Sequence, residues 1–389
     1  MKKYHFLLTC LFFLTTTGGA FAQKRITLLF VGDLMQHKGQ IDAARTPEGT
    51  YDYTECFDLV RNQISQADIA IGNLEVTLGG KPYTGYPAFS APDEYLQAIQ
   101  DAGFDVLLTA NNHCLDRGRK GLERTLQQLD SLHIPHAGTY RNAEERKKKY
   151  PLLIHKNGFR IAILNYTYGT NGIKATSPNI VNYINRETIQ QDIRQAQTYR
   201  PDAIIACMHW GEEYQTLPNR EQQELTDWLL QQGVTHIIGA HPHVIQPLEL
   251  RTNGLQQHVV AYSLGNFISN MLATNTDGGM ILTLQLEKCS FSSLSNSLPT
   301  TRSYLPLPGI LDIPQPYCKV RTCHYNLVWT ARPSLTGKKN FFVCPIDSTR
   351  IDLPEKARKN LEIFKKRADS LLLKHNKGIS SNEKKTMKK

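Results

Sequence analysis

Carboxylate, amide and imidazole side chains recur in this chain in short polar motifs, each placed directly after an apolar, β-branched run. Val31-Gly32-Asp33-Leu34-Met35-Gln36-His37 follows the first run, Gly72-Asn73-Leu74-Glu75 the second and Asn111-Asn112-His113 the third. His209-Trp210-Gly211-Glu212-Glu213-Tyr214 and Gly239-Ala240-His241-Pro242-His243 follow two more. These are the donor types that a hard or borderline divalent cation takes. A lone Asp after a strand is ordinarily a cap or turn former, and a lone buried His a hydrogen-bonded core residue. Five such motifs at five strand ends point instead to one shared metal centre.

The elements that must position them read as βα units. Strands are predicted over Ile26–Val31, Asp68–Ile71, Asp105–Thr109, Ile161–Asn165, Asp202–Cys207, Thr235–Ile238 and Val259–Tyr262, with helices between them. Gly118–Leu132 and Asn219–Gln232 carry apolar residues at three- and four-residue spacing, and Gly233 is placed to stop the second. In α/β folds the carboxyl ends of the strands converge on the ligand-binding side, so residues distant in sequence can meet there. The Gly/Pro/Thr/Asn-rich stretches 79–92 and 168–181 are long enough to form rims or lids.

After Asp277-Gly278-Gly279 the pattern changes to strands at Met280–Leu286, Tyr325–Thr330 and Phe341–Val343, interrupted by a Ser/Pro-rich insertion. The chain thus divides into a leader (1–22), a main α/β domain (26–287), an irregular insertion with closing strands (288–350) and a basic helical end (351–389). In that last segment Ala357, Leu361, Phe364, Ala368 and Leu371 share one helical face, as in a docked amphipathic helix with a polar, Lys-rich tail.

The formal charge of +10 is concentrated at that end, where residues 354–389 hold twelve Lys/Arg against four Asp/Glu. The body is therefore near neutral, which gives no basic groove for nucleic acid. Lys2 and Lys3, the apolar run Phe6–Leu14 and Ala20-Phe21-Ala22 form the pattern of a cleavable secretory signal, cut before Gln23. The run is too short for a bilayer-spanning helix, so the mature chain is expected in the periplasm or outside the cell, touching membrane only through the signal segment or the basic tail. Disulfides are possible there. With Cys10 removed, seven cysteines remain: Cys289, Cys318, Cys323 and Cys344 cluster near the C-terminus and can pair, while Cys56, Cys114 and Cys207 read as buried thiols.

The motifs GDLM, GNLE, ANNHCLDRGRKGL, HWGEEY, GAHPHVIQPLE and YSLGNF, in this order and spacing, resemble the CapA family of poly-γ-glutamate capsule-synthesis proteins from about Ile26 to Ser269. That resemblance implies a metallophosphatase-like four-layer sandwich, with β-sheets inside, helices outside and two divalent metals (manganese, iron or zinc) at the strand ends. Carried over by position, Asp33, Glu75, Asn112, His209, His241 and His243 are the metal ligands, Glu75 in the bridging place. His113 faces the substrate as general acid or as donor to developing negative charge, while the metals polarise the substrate and activate water.

Asn73, Glu213 and Asn266 are further candidates; Glu213 could orient a ligand histidine or act as a helix-start carboxylate. Two positions depart from the phosphatase pattern: Met35 stands where a histidine is usual, with His37 as a possible substitute, and Glu75 stands where an Asp is usual. Asp116 and Gly118 read as the cap of the next helix and Trp210 as packing. The implied activity is that of an exported metal-dependent hydrolase acting on an anionic capsule or cell-envelope polymer, alongside capsule export machinery. A phosphoesterase, and a non-catalytic polymer-binding export component with a vestigial metal site, are the alternatives.

Overall fold

The computed structural model describes residues 24–254, 256–288 and 318–382. The leader, most of the Ser/Pro-rich insertion with Cys289, and the tail from 383 lie outside the described residues.

In chain order the strands are β1 (Arg25–Leu34), β2 (Ile69–Leu74), β3 (Val106–Leu108), β4 (His136–Ala137), β5 (Thr139–Tyr140), β6 (Leu152–Lys156), β7 (Phe159–Thr167) and β8 (Ile180–Val181). They continue with β9 (Ala203–His209), β10 (His236–Ala240), β11 (Leu248–Asn253), β12 (Gln256–Ala261), β13 (Asn266–Ile268), β14 (Gly278–Lys288), β15 (Cys318–Ala331), β16 (Phe342–Pro345) and β17 (Ser380–Ser381). One sheet runs β16-β15-β14-β1-β2-β3-β4, with β13 beside β1 and β17 beside β15; the other runs β11-β12-β10-β9-β7-β6. Strands β1 to β4 pair in parallel, while β14 pairs antiparallel with β1, β15 with β14 and β16 with β15. In the second sheet β7, β9, β10 and β12 are parallel.

Strand alternation builds the layers. Ile26, Leu28 and Phe30 of β1 point into one cluster with Ile161, Ile163, Ile205 and Val259 of the second sheet, so the two sheets pack face to face. Leu29 and Val31 point the other way, against helices α1 (Lys38–Ala44), α2 (Arg61–Ser65) and α3 (Asp93–Asp101). Helix α4 (Gly118–Ser131) adds Leu129 to that layer. After the short α5 (Ala143–Lys149), Leu164, Ala206 and Val260 face α6 (Arg186–Thr198) and α7 (Arg220–Gln231), which completes a four-layer α/β/β/α sandwich. Helix α7 begins where Asn219 and Gln222 form a capping box and ends before Gly233, whose φ of 102° suits glycine.

A short α8 (Pro333–Thr336) precedes α9 (Glu355–His375), whose Ala357, Leu361, Phe364, Ala368 and Leu372 join the inter-sheet core beside β15. The fully buried residue of the last turn is Leu372, with Leu371 only partly covered. No helix among the described residues is long and apolar enough to cross a membrane. Cys56, Cys114 and Cys207 are buried thiols.

Buried His236 in β10 accepts a hydrogen bond from the Val259 backbone N–H at 3.0 Å. Burial, then the charge of His258, push its pKa down to about 3 from 6.5. The unfolded chain binds a proton that the folded chain refuses, so stability from this group is full above pH 6.5 and falls as pH drops toward 3. Thermal unfolding at pH 5 and pH 7 should show a loss on acidification to which His236 contributes about 2 kcal/mol, and His236→Gln should flatten that dependence.

Candidate metal centre

The strands run two to three residues further than their apolar runs and carry the polar motifs with them, so Asp33, Asn73 and His209 lie within β1, β2 and β9. The ladder register slips between Asp33 and Leu34, an irregularity that re-aims the side chain at the strand end. Gly32 makes the close approach possible: a Cβ there would lie 1.9 Å from the Gly265 carbonyl oxygen, and the Asp33 N–H donates to that same oxygen at 3.1 Å. This contact brings Asn266 of β13 beside Asp33.

Asp33, Glu75 and Asn112 come from the first sheet, and His209, His241 and His243 from the second. Their side chains meet at the seam, each 3% exposed or less. Two overlapping sets, Asp33/Glu75/His209 and Glu75/His241/His243, each place their ligand atoms within 4.8 Å of one another, and Glu75 belongs to both. Glu75 Oε1 lies 3.6 Å from His209 Nε2 and 3.8 Å from His243 Nε2. His209 Nε2 is 2.8 Å from Asn112 Oδ1, so those two donor atoms also face one another. Glu75 Oε1 and His241 Nδ1 are buried with no hydrogen-bond partner among the described residues. Orphaned buried acceptors among carboxylate, amide and imidazole groups fit a divalent cation.

The surrounding groups fix this arrangement. Asn73 Nδ2 donates to Asp33 Oδ1 at 2.8 Å and lies 3.3 Å from His209 Nδ1. His243 Nδ1 is 3.1 Å from Asp33 Oδ2 and 3.0 Å from Asn266 Oδ1, which turns Nε2 toward Glu75. His241 and His243 hold φ values of 99° and 58°, a region that residues other than glycine seldom occupy. Such strain persists where the surroundings impose it; here the Tyr214 N–H bonds the Pro242 carbonyl at 2.8 Å.

Electrostatics follow from the crowding. Burial raises the Glu75 carboxyl well above its usual pKa, and the Asp33 charge adds to the effect. Burial also works to raise Asp33, but hydrogen bonds and charge from His243, with the Asn73 amide, outweigh it and hold Asp33 low. His243 is correspondingly held high by Asp33 against its own burial. His241 is pushed down to about 3 by burial and by His243. His209 is likewise lowered, by burial and then by its histidine neighbours.

His113 stands beside this cluster with Nδ1 2.8 Å from Asp116 Oδ2. Asp116 does not cap α4, whose N-cap is Arg117; it also accepts the Phe89 N–H at 2.8 Å. Asn171 links Asn112 and His113, through contacts of 3.2 and 3.4 Å. On the same loop Tyr168, 49% exposed, packs its ring 4.4 Å from that of His241. The sequence alone singles out neither Asp116, Asn171 nor Tyr168 as a site residue; its signals there are the His-x-x-Asp spacing and the rim or lid reading of 168–181.

Other candidates fall outside the donor sets. His37 caps α1, where its ring meets Gln40 and the Asn270 N–H, and burial lowers its pKa to about 4. Glu213 is exposed and lies well before the start of α7; its charge helps to hold His243 high, but it belongs to neither donor set. Trp210 packs, donating to the Tyr262 carbonyl at 2.9 Å. Met35 is 2% exposed within the helix-facing core. Met35→His should therefore cost about 1–3 kcal/mol, as a polar group buried in an apolar layer, and should leave metal content unchanged; urea unfolding and elemental analysis check both.

A four-layer α/β sandwich whose strand ends gather two carboxylates, an amide and three imidazoles defines a class of α/β-sandwich proteins with a candidate divalent-metal site. Within that class the chain belongs to the bacterial capsule synthesis protein PGA_cap family, whose model matches residues 27–271. It is 28% identical over 277 residues to "Capsule biosynthesis protein CapA" of Bacillus anthracis, a match covering 68% of this chain and 64% of that one, just under two thirds of the relative's length. It is 28% identical over 271 residues to "PGA biosynthesis protein CapA" of Bacillus subtilis (strain 168), covering 67% of each. Among solved structures, it aligns with the calcineurin-like phosphoesterase YfkN of Bacillus subtilis at a TM-score of 0.44 and 12% identity, over 89% of this chain and 98% of that one. With Haemophilus influenzae NAD nucleotidase the TM-score is 0.46 at 10% identity, over 90% of this chain and 61% of that one.

Proposed function

We propose that this protein is an exported, metal-dependent hydrolase that trims or processes an anionic capsule or cell-envelope polymer of the poly-γ-glutamate type. The observation that carries the reading is the pair of donor sets sharing Glu75, with the His113–Asp116 pair beside them. Asp33, Glu75, Asn112, His209, His241 and His243 would hold a divalent cation, which would supply Lewis acidity and lower the pKa of water toward neutrality. The chain's own groups do the rest. Asp116 fixes the His113 ring by accepting the Nδ1–H, which leaves the other ring nitrogen, when protonated, to give a proton to a leaving group. Asn266 and Asn73 orient His243 and Asp33. Export rests on the leader sequence, and the capsule export machinery is the natural partner.

One observation favours a non-catalytic role instead: Met35 supplies no ligand where a phosphatase has a histidine, and it is buried facing the helices. The deciding experiment purifies the mature protein without chelator and measures metal per chain, together with hydrolysis of a model phosphoester and of a γ-glutamyl oligomer by wild type and His241→Ala. About two metals per chain and turnover lost in the variant are expected. Folded protein with neither metal nor turnover would sink the hydrolase reading, while turnover of the phosphoester alone would make the chain a phosphoesterase.

A further inference from the structure

A cleft of about 570 Å³ lies between the C-terminal half of α9 and the loops that follow His209 and Asn266. Those loops also border the metal centre: the Asn266 amide donates to the Thr276 carbonyl at 2.9 Å, next to Asn275 in the cleft wall. Helix α9 itself lies beyond the stretch that the family model matches. Lys366, Arg367 and Lys374 edge the cleft, and no carboxylate lines it. Nearby, Arg358 pairs with Asp352, Lys359 with Glu355 and Lys377 with Glu249. The three at the cleft are exposed and make no ion pair among the described residues. Lys366 and Lys374 are eight residues apart, which sets their charges about 12 Å apart along the helix. The floor between them is apolar, from Phe364, Ala368, Leu371 and Ile245.

A line of unneutralised cations over an apolar floor suits a linear chain that carries repeated carboxylates along a methylene-bearing backbone. A single small anion would use only one of the charges, and a flat bilayer would not reach into a cleft. We propose that this cleft is a second binding site, for an acidic polypeptide chain, which holds the polymer beside the metal face. The proposal rests on the reading above only for its view of which polymer is processed.

The test measures fluorescence anisotropy of labelled oligoglutamate with the full mature chain at low and high salt. The variant Lys366→Ala/Arg367→Ala/Lys374→Ala should bind more weakly by on the order of tenfold or more at low salt, while Arg358→Ala/Lys359→Ala should bind as wild type does. Unchanged affinity in the triple variant would overturn the proposal, as would equally tight binding of a labelled oligothymidylate of the same charge. Turnover of a model phosphoester and of a short γ-glutamyl substrate should each be equal in wild type and triple variant; absence of both activities in both proteins would count against the hydrolase reading, with the binding data still deciding this one.

Discussion

Replacing Glu75 with Ala is expected to strip the folded protein of its metal, lowering affinity by about 100-fold or more. Loss of outer partners alone costs 10- to 100-fold, and Glu75 belongs to both donor sets. Its carboxyl is held well above the ordinary range, by burial and then by Asp33, so a cation that takes the carboxylate form competes there with a proton. Binding must displace that proton, and apparent affinity should therefore rise with pH in the range above the ordinary carboxylate pKa. Elemental analysis of both proteins, with calorimetric titrations over a pH series, reads the two effects. Wild-type metal content in Glu75→Ala would remove Glu75 from the shared position.

The second large effect is expected at His113. His113→Ala should reduce kcat by about 10²- to 10⁴-fold, the usual worth of a positioned proton donor, with metal content unchanged because His113 is in neither donor set. Asp116→Asn should preserve the ring's place but weaken its orientation, for a loss of about 10- to 100-fold. If polymer output in cells survives His113→Ala, the non-catalytic role takes over.

Much of this was legible in the chain itself, because the donor residues sit immediately after apolar runs and strand direction decides which ends converge. The four layers follow from alternation such as Leu28 inward and Leu29 outward. What local pattern did not reveal has physical reasons. Asp116 looks like a helix cap from its neighbours, and only the folded loop shows that it meets His113 and the Phe89 N–H. Asn171 and Tyr168 belong to a loop more than fifty residues from Asn112, where nothing local signals contact. His37 has the residue type of a ligand, yet its backbone position at the start of α1 commits the ring to capping.

Because the donor groups come half from each sheet, an ion bound among them would act as a cross-link between the two halves of the sandwich. Occupancy then adds to the folding free energy by mass action, about 2.7 kcal/mol at a hundred times the dissociation constant. The melting temperature becomes a gauge of the free metal around the protein, and resistance to proteases should rise and fall with the same supply.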